Sequence, residues 1–283
     1  MKKLSRILIL GLSLTIIFSS CQKKQKKEED TDTQSASENS LATSIDNDMN
    51  NIADEAGRNK NVTSFKTSEN SAMLAPCATL TFDTLVSTNA DSITVNFGNS
   101  NCLCGDGRYR RGSLLIVYTG KYRDSLTTIT VTPINYFVND NKVNGNKTVK
   151  NLGHNAQGHL VYDINANLSI VKADNSGTIQ WTGTRQREWL TGENTLLWID
   201  DKYSITGSAS GTNANGRNFT SSITSGKPLI RDMSIGCRKH FISGEIKHTP
   251  QGKPTRLIDF GNGACDDQAT VTINANTYTI TLP

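Results

Sequence analysis

The feature that most constrains this chain is a two-residue alternation of side chains that recurs along most of it from residue 73 onward. Apolar residues alternate with polar residues or threonine in runs such as 78–82, 92–97 and 270–273. Successive side chains of a β-strand point to opposite faces, so this pattern is typical of half-buried strands. The sequence therefore predicts an all-β domain over residues 73–283.

Short clusters rich in asparagine and glycine separate these runs, and both residue types adopt the positive φ that tight hairpins require. The clusters lie at 139–141, 144–146, 174–177, 213–216 and 261–263. Strands joined by such short turns are antiparallel neighbours. We therefore predict an antiparallel meander of a dozen or more strands, folded into a sandwich or a curved, partly closed sheet.

Cysteines bracket two pairs of predicted strands, in the units 77–102 and 237–265. In both units the second strand is followed by Phe-Gly-Asn and then by the closing cysteine, so the units look like copies of one module. In an oxidising compartment each pair is expected to form a disulfide. The expected bridges are Cys77–Cys102 and Cys237–Cys265.

Cys104 is left over, and three interpretations remain open. It replaces Cys102 as the partner of Cys77, it is a buried free thiol, or it pairs with another chain. A catalytic thiol needs a nearby base, and no histidine lies in the segment 102–107. We therefore expect no catalytic role for Cys104.

The N-terminal residues 1–21 have the pattern of an export signal. Three basic residues precede an apolar run from 7 to 18, which is too short to span a bilayer as a helix. The run ends in Phe-Ser-Ser-Cys, which resembles the lipobox of lipoprotein signal peptides. The resemblance implies that Cys21 becomes the mature N-terminus and carries acyl chains such as palmitate, which anchor the chain to a membrane.

Residues 22–72 are polar and rich in charged residues, and such a segment buries too little apolar surface to fold by itself. We interpret it as a disordered tether. Within it, apolar residues at helical spacing predict a short helix near 41–56, either transient or a docking segment. These residues are Leu41, Ile45, Met49, Ile52 and Ala56.

The charge of the chain gives no support to nucleic-acid binding. The net charge is +4, and the part from residue 73 onward has about the same net charge, because the basic signal and the acidic tether cancel. No basic stripe with interleaved aromatic residues is present, and an exported protein seldom meets nucleic acid. We therefore predict no nucleic-acid partner.

Three arginines, Arg108, Arg110 and Arg111, lie in a short glycine-flanked segment and are one candidate ligand contact. Guanidinium groups bind carboxylates and phosphates well, so the segment could contact an anion or an acidic sugar. The favoured interpretation is a hairpin turn capped by Asp106, with alternating arginines in solvent.

The tryptophans Trp181 and Trp189 are the second candidate contact, with Arg185 and Arg187 between them. Exposed, they would form a sugar-stacking or protein-binding face. Buried, they would fill the core, which we favour because tryptophan supplies a large apolar area.

No metal site, cofactor or catalytic group is predicted. His154, His159 and Asp163 could suggest zinc ligands, but zinc sites need three or four ligands in a defined geometry. Asp266 and Asp267 lack the periodic oxygen ligands of a calcium loop. Surface histidines and a solvated turn explain these residues.

Three segments resemble a group of uncharacterised Bacteroidota lipoproteins. They are Cys-Ala-Thr at 77–79, Phe-Gly with Cys-x-Cys-x-Asp-Gly-Arg-x-Arg-Arg-Gly at 97–112, and Ile-Asp-Phe-Gly-Asn-Gly-Ala-Cys-Asp at 258–266. The resemblance covers nearly the whole domain and implies a lipid-anchored outer-membrane protein that faces the periplasm or the cell surface. It implies no particular activity.

Two functions remain open for the domain. The favoured one is a non-enzymatic binding or structural module, whose partner beyond the membrane is a glycan or another envelope protein. The alternative is an envelope hydrolase that acts on glycans or peptidoglycan through paired carboxylates, which strands from distant parts of a chain can bring together. The favoured function rests on the absence of a recognisable catalytic pattern.

Overall fold

The computed structural model describes residues 29–58, 73–84, 91–120, 123–195 and 197–282. The predictions for the signal, including lipidation of Cys21, fall outside these residues. The described part contains one helix, α1 (Gln34–Arg58), and fifteen strands. The strands are β1 (Thr79–Thr84), β2 (Asp91–Asn96), β3 (Cys102–Leu103), β4 (Tyr109–Tyr118), β5 (Thr128–Val138), β6 (Asn141–His154), β7 (Leu160–Val171), β8 (Thr178–Thr191), β9 (Lys202–Thr212), β10 (Asn218–Ile223), β11 (Leu229–Asp232), β12 (Phe241–Pro250), β13 (Arg256–Asn262), β14 (Gln268–Ile273) and β15 (Asn276–Thr281).

All fifteen strands belong to one antiparallel sheet. Its main path is β1-β2-β4-β5-β6-β7-β8-β9-β10-β12-β13-β14-β15, while β3 pairs with β4. Strands β10 and β11 lie one after the other between β9 and β12, because each of them pairs with both of these strands. The predicted all-β fold is confirmed, and of its two forms the structure has the single curved sheet rather than the sandwich.

The turn chemistry explains most of the strand boundaries. Asn139 and Asp140 connect β5 to β6 with φ values of 46° and 61°, as expected for a two-residue hairpin of the primed type. The predicted turn at 144–146 is wrong, because these residues lie inside β6. Gly145 has a φ of 110°, and a side chain there would collide with the carbonyl of Asn167 on β7. This glycine permits a close approach of two strands, not a reversal of the chain.

The N-terminal helix corrects the predicted tether over 22–72. The helix α1 extends beyond the expected 41–56 at both ends, and its residues from Ser35 to Ala56 are almost all buried. Residues 22–28 and 59–72 lie outside the described part of the chain. The segment from Gln34 to Arg58 is therefore part of the folded domain, and a polar sequence did not prevent its burial.

The sheet curves around α1, which explains burial on all sides of the helix. Side chains from six strands form hydrogen bonds with residues of the helix. These strands are β4, β5, β6, β8, β9 and β12. One side of the helix enters the main apolar core with the predicted stripe, including Ile45, Met49 and Ile52. Its polar remainder meets charged side chains of the sheet. A second apolar cluster lies among the C-terminal strands from β9 onward.

Candidate functional site

The best-defined cluster of polar groups is a buried network in which two carboxylates meet two guanidinium groups. Asp48 on α1 and Asp106 before β4 both contact Arg110, with oxygen–nitrogen distances of 2.5 and 2.6 Å. Arg108 donates to Asp48 at 3.2 Å, and the hydroxyl of Tyr136 donates to Asp48 at 3.1 Å. All four charged side chains are nearly inaccessible to solvent.

The electrostatics of this network favour its charged form. Burial acts to raise the pKa of Asp106, but the charge and hydrogen bonds of Arg110, supported by Arg108, outweigh it and hold that pKa well below its usual range. Burial also acts to lower the pKa of Arg110, and Asp106 and Asp48 reverse this and raise it. Asp106 and Arg110 therefore form a stable ion pair, and Asp48 joins this pair to α1.

The network corrects both sequence interpretations of these arginines. Arg108 and Arg110 lie at alternate positions that face the interior, so they are neither an external anion contact nor solvated turn residues. Asp106 does stabilise the turn as predicted, since its carboxylate accepts the backbone N–H of Arg108 at 3.2 Å. Their partner Asp48 comes from a distant helix, and the local sequence gave no sign of it.

Arg111 is the one candidate arginine that stays near the surface. Its guanidinium lies over the ring of Phe137 at 3.7 Å and pairs with Asp140 and Asn101. The side chain of Arg111 is partly exposed and that of Asp140 is largely exposed. Both hydrogen bonds use one terminal nitrogen, Nη1, of the five N–H donors that a guanidinium carries, and the ring of Phe137 covers one of its faces.

The tryptophans belong to the core, as the favoured interpretation expected. Trp181 and Trp189 on β8 are each 1 % exposed. Their indole N–H groups donate to Asn39 at 3.3 Å and to Asp201 at 3.2 Å. Neither ring is available to stack on a sugar.

A second group of buried ion pairs joins α1 to strands β6, β8 and the segment before β9. Lys147 pairs with Asp46, Arg187 pairs with Asp54 at 3.1 Å, and Arg58 pairs with Asp201 at 2.6 Å. The helix thus brings carboxylates into an interior that the strands line with cations. In the sequence, these ion pairs correspond to basic residues at inward strand positions and to acids on a polar helix. Only the register of the helix against the strands shows that the two groups meet.

The disulfides have the expected connectivity. Cys77 is bonded to Cys102, and Cys237 to Cys265, so each bridge closes one antiparallel strand pair. Cys104 is a buried free thiol, one of the three interpretations left open. Burial raises its pKa to about 11, against the opposing charge of Arg110. A thiol in this state is a poor nucleophile.

The two histidines bind different acids. His154 contacts Glu193 at 2.8 Å, and His159 contacts Glu188 at 2.7 Å. Within the described residues, no three side chains of histidine, cysteine, aspartate or glutamate gather as they would around a metal ion. The histidines therefore fix the loop before β7 to its neighbours.

An open groove of about 430 Å³ lies on the outside of the sheet, along β13, β14 and the facing side of β15. Its polar lining includes Asp259, Asp266 and Gln268. Asp259 accepts the backbone N–H of Gly261 at 2.9 Å, and Asp266 accepts that of Gln268 at 3.0 Å. The volume is within the range of small-ligand sites, whereas two cavities beside α1 measure about 10 Å³ each.

Comparison with known proteins gave no relatives. No protein-family model matches the chain, and neither a curated protein nor a solved structure is significantly similar to it. Among the residues that the structure describes, no helix combines the length and the apolar character needed to cross a membrane.

Proposed function

We propose that this chain is a lipid-anchored lipoprotein of the outer membrane whose β domain is a non-enzymatic binding or structural module. Cys21 carries the lipid, and the domain meets a glycan or another envelope protein. No nucleic acid, cofactor or metal takes part. The domain is exported, and its two disulfides suit an oxidising compartment.

One observation carries the non-enzymatic part of the proposal: the interior of the sheet is filled by the protein's own helix. Three acids of α1, Asp46, Asp48 and Asp54, are each placed against a cation. General acids and bases need access to a substrate and a labile proton. Carboxylates buried in ion pairs inside the sheet have no access to a substrate.

The lipid anchor is tested by labelling cells with a palmitate analogue. We expect the wild type and Cys104→Ala to incorporate the label and Cys21→Ala to lose it, because only the first cysteine follows the lipobox. Incorporation by Cys21→Ala would contradict the proposal. Protease treatment of intact cells then distinguishes the two faces of the outer membrane, since a surface-exposed domain is removed and a periplasmic one resists.

The outer groove favours a ligand with several hydroxyl groups, because carboxylates, amides and threonine hydroxyls line it. Isolated protein is therefore titrated with envelope glycans by calorimetry. We expect Asp259→Asn and Asp266→Asn each to weaken binding several-fold, while Asp174→Asn, at an exposed turn outside the groove, leaves it unchanged. Equal affinity in all three variants would remove the groove from the proposal.

The same groove is the one specific observation that favours a hydrolase, since it holds two carboxylates. Release of reducing sugar from peptidoglycan or glycans measures this activity. The decisive result would be sugar release by the wild type and none by Asp259→Asn, with glycan binding retained in the variant. This result would establish the hydrolase and overturn the non-enzymatic module.

A further inference from the structure

Arg185 on β8 is a buried cation with no hydrogen-bond partner among the described residues. Its side chain is 3 % exposed, and none of its three guanidine nitrogens has an acceptor within reach. Neighbouring cations of the same interior surface are paired, Lys147 with Asp46 and Arg187 with Asp54. Proteins seldom bury a guanidinium in this way, because desolvation of an unpaired ion is very costly.

The packing of α1 along β8 indicates which helix residue faces Arg185. Trp181 bonds to Asn39, and Arg187 bonds to Asp54. The six residue steps from Trp181 to Arg187 rise about 20 Å along the strand, and the fifteen steps from Asn39 to Asp54 rise about 22 Å along the helix, so the two elements run side by side. Arg185 lies two thirds of the way along the strand segment and is therefore level with about residue 49 of the helix.

Asn50 lies one residue beyond that level and, by helical spacing, on the same face of α1 as Asp46 and Asp54. It follows Asp46 and precedes Asp54 by four positions each, and both of these aspartates pair with the strands. Asn50 is buried, and neither its amide nitrogen nor its amide oxygen has a partner. The guanidinium of Arg185 and the amide of Asn50 thus both have unpaired N–H donors at about the same height along the helix. The two side chains form no hydrogen bond with each other.

The local charge is also unbalanced. Three cations, Lys147, Arg185 and Arg187, face two paired carboxylates, Asp46 and Asp54. The ring of Trp181 lies 5.6 Å from the guanidinium carbon of Arg185, near the outer limit for a cation–π contact. Among the described residues, these three cations therefore exceed the two carboxylates that they face by one charge.

We propose that Arg185 and Asn50 bind one small monovalent anion of the chloride type inside the domain. The guanidinium N–H groups and the amide N–H₂ group of Asn50 are the donors. A single negative charge balances the excess, whereas a dianion would be repelled by Asp46 and Asp54. The inference is independent of the lipid anchor and of the outer groove.

The test is the unfolding equilibrium of the intact protein in sodium bromide and sodium chloride, with sodium gluconate keeping the ionic strength constant. An anion that binds the folded state lowers the unfolding constant about tenfold for each tenfold rise in its concentration above Kd. We expect this dependence in the wild type and its loss in Arg185→Met. Lys172→Met removes a cation that already has partners and should keep it.

Equal anion dependence in the wild type and Arg185→Met would overturn the proposal, since the ion would then act elsewhere or water alone would hydrate the arginine. If Arg185→Met does not fold, Asn50→Leu replaces it and is expected to weaken the dependence several-fold. Line broadening of ³⁵Cl resonances gives a direct measurement. Broadening of the chloride resonance by the wild type that exceeds the broadening by Asn50→Leu, and that bromide removes, supports the site. Equal broadening by the two proteins contradicts it.

Discussion

At the residue scale, the interior of this protein depends on charged side chains whose partners come from another element. Asp48 illustrates this, because it accepts hydrogen bonds from Arg108, Arg110 and Tyr136 at once. Loss of one member of a buried pair leaves the other charge desolvated, which is much more costly than loss of an exposed pair.

We predict that Asp48→Asn lowers the free energy of unfolding by about 3–5 kcal/mol, because it leaves Arg110 with half of its counter-charge. Urea denaturation measures the change. The matched control is Asp140→Asn, which weakens the ion pair of Arg111 on an exposed turn and should cost less than about 1 kcal/mol. Similar losses in both variants would show that the buried network has no special weight.

His248 on β12 is a buried histidine held between two hydroxyl groups. Its ring nitrogens lie 2.8 Å from the hydroxyl of Ser35 and 2.7 Å from that of Ser221. Burial and the charge of Arg256 lower its pKa from 6.5 to about 3. The folded state therefore contains neutral imidazole at neutral pH.

This histidine makes stability depend on pH in the acid range. The unfolded chain binds the proton near pH 6.5 and the folded chain only near pH 3, so stability falls as the pH decreases between these values and is unaffected by this group above them. One proton corresponds to at most about 1.4 kcal/mol per pH unit. We expect His248→Gln to have a shallower slope than the wild type by up to this amount. Identical slopes in the two proteins would contradict the assignment.

At the scale of elements, α1 separates what could be predicted from what could not. The stripe of Ile45, Met49 and Ile52 indicated a helix, because helical periodicity is a local property. Its burial was not predictable, since the polar face is stabilised by cations from strands that lie far along the chain, such as Lys147 and Arg187. Composition alone therefore assigned this segment to a tether.

The same distinction applies to the sheet and the candidate site. Alternation and turn residues predicted the strands, and the spacing of the cysteines predicted the bridges that the structure contains. The inward orientation of Arg108 and Arg110 was missed because Asp48, the partner that joins them to α1, lies about sixty residues earlier, and their nearby partner Asp106 fits an exposed turn equally well.

We predict that Ile52→Ala, in the C-terminal half of α1, lowers the free energy of unfolding by about 2–4 kcal/mol, because it leaves a cavity in a fully buried site. Thermal and urea unfolding measure the loss. Ile235→Ala, at a side chain that is 67 % exposed, serves as the control and should change the free energy of unfolding by less than about 0.5 kcal/mol. An effect of Ile52→Ala below about 0.5 kcal/mol would mean that the helix is not part of the cooperative unit.

At the scale of the molecule, the docked helix gives the domain two distinct ends relative to the proposed anchor. The chain is fixed to the sheet from Asp30 onward, since Asp30 pairs with Arg256 at 2.9 Å and Gln34 contacts Asn215 at 3.3 Å. Cys21 lies nine residues before Asp30, so the lipid is within about 30 Å of this contact whatever path the chain takes. The helix itself is about 37 Å long, and its last residue, Arg58, pairs with Asp201 at the opposite end.

We therefore predict that the lipidated protein presents the end around Asn215 to the membrane and the loop before Asp201 away from it. Single cysteines introduced as Asn215→Cys and Asn194→Cys are labelled with a donor dye, and energy transfer is measured to an acceptor in the headgroups of liposomes. The native Cys104 should stay unlabelled, because burial raises its pKa to about 11. Stronger transfer from position 215 than from position 194 is expected, because the end around Asn215 stays within about 30 Å of the lipid while the other end lies a further helix length away. Equal energy transfer from the two positions would mean that the helix leaves the sheet at the membrane and so lengthens the connection to the lipid. The control is the same pair of variants with Cys21→Ala. Loss of energy transfer from both positions in this control shows that the lipid holds the protein at the membrane.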